Sequence, residues 1–108
     1  MARVLAISSD LLLGSKVEAM LRAAGHEVTM APSPDPAQLE GADLIVADLD
    51  TENATELVGH DAPVLGYYSH VNPETKQAAE AAGVDLAVPR SRMARELVSL
   101  AAGLLPAS

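Results

Sequence analysis

Asp48 ends an apolar run. In the stretch ADLIVADLD, residues 42 to 50, Leu44-Ile45-Val46-Ala47 leads straight into a carboxylate. A carboxylate at the mouth of a site can accept a phosphoryl group or ligate a hard cation. The structural alternative is that a strand ends there and an acidic residue caps the next helix. The other residues with chemistry to offer are Ser8-Ser9-Asp10, Tyr67-Tyr68-Ser69 and Arg90. Ser8 or Ser9 is a nucleophile only beside a base; His70 is the one candidate by position, and no oxyanion motif accompanies it. His26, His60 and His70 lack metal-ligand spacing and read as solvated surface residues. The chain has no cysteine, which removes thiol chemistry and thiolate metal sites. It has no glycine-rich phosphate loop either; Gly14 stands alone and reads as a place of close packing or a kink.

The elements that must carry these residues alternate between two periods. Val4–Ile7, His26–Met30, Leu44–Ala47, Pro63–Tyr67 and Asp85–Val88 are short apolar runs, as expected of strands buried on both faces. Between them lie helical patterns. Val17, Met20, Leu21 and Ala24 form a stripe stopped by Gly25. Asp35 and Pro36 open a short helix ending at Gly41. Thr51 or Asn53 caps a short helix through Leu57 and Val58, closed by Gly59. Asn72 and Pro73 start an Ala-rich helix running to Gly83. Met93, Leu97, Leu100, Ala101 and Leu104 line the last helix, stopped by Pro106. Strands alternating with helices predict an α/β fold, a doubly wound five-stranded parallel sheet with helices on both faces. In such a sheet the site lies beyond the carboxyl ends of the strands. That is where Ser8-Ser9-Asp10, Asp48, Tyr68-Ser69 and Pro89-Arg90 fall.

Composition narrows the function classes. The 108 residues are expected to form a single domain. The core must be aliphatic, since the chain has no Phe, no Trp and two Tyr. A formal net charge of -8 opposes binding to nucleic acid or to an anionic membrane. No signal-peptide pattern and no run of membrane-spanning length is present, so the expectation is a cytoplasmic protein.

The strand ends resemble those of a response-regulator receiver domain, which is flavodoxin-like. RVLAISSD resembles its first strand and puts Ser8 and Ser9 where such domains carry an acidic pair. DLIVADLD puts Asp48 at the phosphoacceptor position. PVLGYYSH puts Tyr68, followed by Ser69, at the hydroxyl position. AAGVDLAVPRS puts Ala87 at the switch aromatic and Arg90 at the usual lysine. The resemblance runs along the whole chain. It implies signal transduction in a two-component system through contact with another protein or through self-association. The partner face would run from the fourth strand to the last helix. There Arg90, Arg92 and Arg95 supply three of the seven basic residues.

The departures shape the expectation. Ser8 and Ser9 provide no charge for a cation, and Asp10 lies one residue further on, where it reads as an N-cap. The Pro-Gly turn that normally follows the phosphoacceptor is missing, and the helix after it is cut down. Arg90 brings a guanidinium in place of an ammonium. The reading is a stand-alone, degenerate receiver: a protein-interaction module with no turnover, no cofactor, no magnesium, and Arg90 paired to Asp48 across the strand ends. Two alternatives stay open. One is a receiver phosphorylated at Asp48; the other is a flavodoxin-like domain that binds a small ligand, or an enzyme, using the strand-end crevice.

Overall fold

A computed structural model describes residues 2–69 and 73–105. The expected roles of His70 as a base, Asn72 as a cap and Pro106 as a stop fall outside these residues. The strands are β1 (Arg3–Ile7), β2 (Glu27–Ala31), β3 (Leu44–Asp48), β4 (Val64–Tyr68) and β5 (Leu86–Pro89). The α-helices are α1 (Leu11–Ala23), α2 (Pro36–Gly41), α3 (Pro73–Ala82) and α4 (Arg90–Leu104). All strand pairs are parallel, in the order β2-β1-β3-β4-β5.

This order explains the two layers of helices. Right-handed crossovers put a helix on one face when the chain steps one way along the sheet and on the other when it steps back. The step from β1 to β2 places α1 on one face, and the return through β3, β4 and β5 places α2 and α3 on the other. After β5 the chain comes back over the first face as α4. That face is filled by Val17, Leu21, Tyr67, Met93 and Leu97 together with Val4, Leu44 and Val46. The opposite face is filled by Leu5, Ile7, Ile45, Leu39, Leu57 and Tyr68, with smaller contributions from Ala79 and Ala87. Each buried Leu or Val contributes roughly 1.5–3 kcal/mol of transfer free energy.

Local signals account for the helix ends. The Asp10 side chain accepts from Leu12 and Leu13 N–H, both at 3.1 Å. Asp35 Oδ1 accepts from Ala37 N–H at 3.0 Å, with Pro36 at the first helical position. After α1 the chain turns through Gly25 at φ +95°, a conformation costly for a residue with a Cβ. The expected helix after β3 is a single 3-10 turn, Ala54–Glu56. Asn53 rather than Thr51 caps it, accepting from Thr55 N–H at 3.0 Å. Three strands also sit one residue later than expected: β2, β4 and β5 end on Ala31, Tyr68 and Pro89. In β4 the adjacent Tyr67 and Tyr68 point to opposite faces of the sheet.

Candidate functional site

The topological switch lies between β1 and β3, so the crevice to examine opens where those two strands end. β3 delivers Asp48 there, with no exposed surface. Asp48 Oδ1 accepts from the backbone N–H of Asp50 at 2.9 Å. On the other oxygen, Oδ2, the Ser8 hydroxyl stands 3.5 Å away and an Arg90 guanidinium nitrogen 3.7 Å away. Burial pushes the Asp48 carboxyl above the ordinary carboxylate value. The Asp50 N–H bond pulls it back, the Asp50 charge raises it again, and Arg90 and Ser8 lower it.

β1 delivers Ser8 and Ser9, and only Ser8 turns inward: Ser8 is buried and Ser9 is exposed. The Ser8 hydroxyl accepts from Asp10 N–H at 3.0 Å, a serine turn that swings the chain from β1 into α1. Its one proton goes either to the Asp10 carbonyl at 3.3 Å or to Asp48. Ser8 thus serves the turn as well as the crevice. Asp10 caps α1 with Oδ1 and presents Oδ2 to Arg90 at 3.9 Å.

β4 brings Tyr67 beside this cluster. Tyr67 is the register partner of Asp48, and its ring belongs to the α1/α4 layer. Burial pushes its phenol up to about 12; the neighbouring Ser8 hydroxyl pulls it down, Asp48 raises it, and smaller opposing effects come from Arg90 and Asp10. Tyr68, assigned to the hydroxyl position on sequence grounds, packs its ring into the opposite layer with Ala87. Adjacent strand residues point to opposite faces, so the two rings lie in different layers of the molecule. Ser69 is exposed, and its backbone N–H donates to Asp50 Oδ2 at 2.8 Å. Asp50, not singled out in the sequence, therefore ties the loop after β3 to the end of β4. Beneath that loop, Gly66 leaves room for Leu49: a Cβ there would lie 2.6 Å from a Leu49 methyl.

β5 runs into α4 without a loop, and Arg90 is the first helical residue. That places its side chain over the strand ends, as the sequence led us to expect. Arg92 and Arg95 stay exposed on the helix; Arg92 pairs with Glu96 at 3.3 Å and Arg95 donates to the Ser91 carbonyl at 3.3 Å. The structure brings Ser8, Asp10, Asp48 and Arg90 together and leaves Ser9, Tyr68, Ser69, Ala87, Arg92 and Arg95 out of that cluster.

The residues do not fit the divalent cation that receivers use. Magnesium asks for near-octahedral oxygen ligands, carboxylates among them. Here one buried carboxylate faces a serine, and a guanidinium already lies against it. Among the described residues no three His, Asp or Glu side chains gather in a metal-holding group.

The sheet order and the two helix layers are those of a receiver-type α/β fold. No protein-family model matches the sequence, and no curated protein matches it. Solved structures do. A response regulator protein from Burkholderia multivorans is 27% identical, covering 100% of this chain and 99% of that one at a TM-score of 0.73. A chemotaxis response regulator of Vibrio cholerae is 24% identical, covering 97% and 99% at a TM-score of 0.81. A CheY-like receiver domain protein from Methanospirillum hungatei is 18% identical, covering 95% and 92% at a TM-score of 0.80. The chain has the response-regulator receiver fold along its whole length, with serines where the resemblance expects the acidic pair.

Proposed function

We propose that this chain is a degenerate receiver that acts as a signalling or regulatory protein-interaction module. It works by contact with another protein or with a second copy of itself, through the side formed by β4, α3, β5 and α4. It performs no catalytic turnover, and the usual magnesium-dependent phosphorylation of Asp48 plays no part. One observation carries the reading: the Asp48 carboxylate is wholly buried, with Ser8 and Arg90 against it. A phosphoryl group transferred to an aspartate needs an open carboxylate and a compact cation to offset the incoming charge. Ser8 supplies no charge, and the Arg90 guanidinium stands 3.7 Å from Asp48 Oδ2, where a cation would be needed.

The test is chemical. Incubate the protein with a small acyl phosphate and magnesium under conditions that label an ordinary receiver, then measure the intact mass. The expected result is an unchanged mass. A labile adduct of one phosphoryl group, abolished by Asp48→Asn, would restore the phosphorylatable reading.

A further inference from the structure

We infer that Arg90 is the resident cation of this site: its guanidinium sits between the carboxylates of Asp48 and Asp10 and closes the strand ends against a divalent ion. The inference rests on the degenerate-receiver reading and adds how the site is held shut. Three elements meet at this point. α4 brings Arg90 on its first turn, β3 brings Asp48, and the cap of α1 brings Asp10. The same guanidinium nitrogen lies 3.7 Å from Asp48 Oδ2 and 3.9 Å from Asp10 Oδ2. It therefore answers two carboxylates from separate elements, as a bound metal ion does.

The manner of holding matters. Both distances exceed those of charge-assisted hydrogen bonds. The Arg90 Nε is buried and has no hydrogen-bond partner. The guanidinium, on a side chain still partly exposed, is thus held by charge and not by a directed fork of hydrogen bonds. Its place also opposes the dipole of α4, whose N-terminus disfavours a cation and has no side-chain cap. The two carboxylates offset that disadvantage. The charged and titratable groups around Asp48 are Asp10 from α1, Asp50 from the loop after β3, Tyr67 from β4 and Arg90 from α4. Without Arg90 the balance of this group is negative, and the space its head occupied opens to solvent. Arg90 and a divalent ion therefore exclude each other.

Manganese alone is the probe, followed by paramagnetic broadening of backbone amide signals. Wild-type protein, Arg90→Ala, Arg90→Met, and Arg90→Ala combined with Asp10→Asn are titrated at millimolar manganese. Arg90→Met keeps an apolar stem without the charge and takes the place of Arg90→Ala if that variant does not fold. The expected result is saturable broadening centred on residues 8 to 10 and 48 to 50, at least about tenfold tighter without Arg90 than with it. Asp10→Asn should remove that gain. No gain in either Arg90 variant, or a gain that survives Asp10→Asn, overturns the inference. Labelling of wild-type protein by an acyl phosphate is the separate outcome that overturns the underlying reading. An unlabelled wild type with no gain of binding overturns only the resident cation.

Discussion

The two faces of the sheet are covered to different depths. On one, α1 and α4 press Val17, Leu21, Met93 and Leu97 onto the strands, and Tyr67 fills the space between. On the other, the six-residue α2 buries Leu39, the 3-10 turn buries none of its own residues, and α3 buries Ala79. An open groove of about 360 Å³ runs between the 3-10 turn and α3, lined by Leu49, Ala54 and Ala78 among others. The polar cluster belongs to the thickly covered face, because Asp48, Tyr67 and the start of α4 share it. The closing of Asp48 is therefore a consequence of how α4 packs. Between β3 and β4 the thin face carries only the 3-10 turn Ala54–Glu56.

If this contrast is real, equal truncations should be felt unequally. Leu97 and Leu57 are both essentially buried, one beneath each cover. Leu97→Ala sits between helix and sheet and leaves a cavity that cannot collapse; about 3–4 kcal/mol should be lost. Leu57→Ala lies in an irregular segment free to settle, and the loss should be nearer about 2 kcal/mol. Urea unfolding of both variants measures the difference, and equal losses would erase the distinction between the faces.

A smaller effect concerns pH. The Asp48 pKa is raised above 3.8, chiefly by burial. Between 3.8 and that raised value the folded state binds more protons than the unfolded chain, so stability contributed at this position falls as pH rises. Asn cannot ionise, so Asp48→Asn removes the step. The stability of wild type minus that of Asp48→Asn should therefore decline as pH rises from about 3.8 and level off above the folded midpoint. A difference that grows with pH instead would mean that Arg90 outweighs the burial penalty.

Much of this was legible in the sequence. The apolar runs and the Asp35, Asn53 and Asp10 caps are short-range signals, and they located the sheet, its helices and the place of Asp48. Arg90 was named through the resemblance, which puts it at the usual lysine, although the strand before it was expected to end at Val88 and ends at Pro89. What the sequence left open was which ring faces which layer. Tyr67 and Tyr68 are adjacent and must point to opposite faces, and only the structure puts Tyr67 on the side of Asp48. The register pairing Asp48 with Tyr67 is a long-range fact that no local pattern contains. Asp50 was missed for the same reason, because its partner, the Ser69 N–H, lies 19 residues away in sequence. The 3-10 turn was taken for a helix because its cap is real while its helical hydrophobic stripe is not.

Whether Arg90 holds Asp48 shut is tested most directly by a double-mutant cycle. Arg90→Ala, Asp48→Ala and the double variant are unfolded in urea at neutral pH, each checked for native amide spectra. The expected coupling between the two positions is about 1 kcal/mol, as befits a pair with one partner buried and the other partly exposed. Strictly additive losses would contradict it, leaving Arg90 a solvated charge that happens to lie near a buried aspartate.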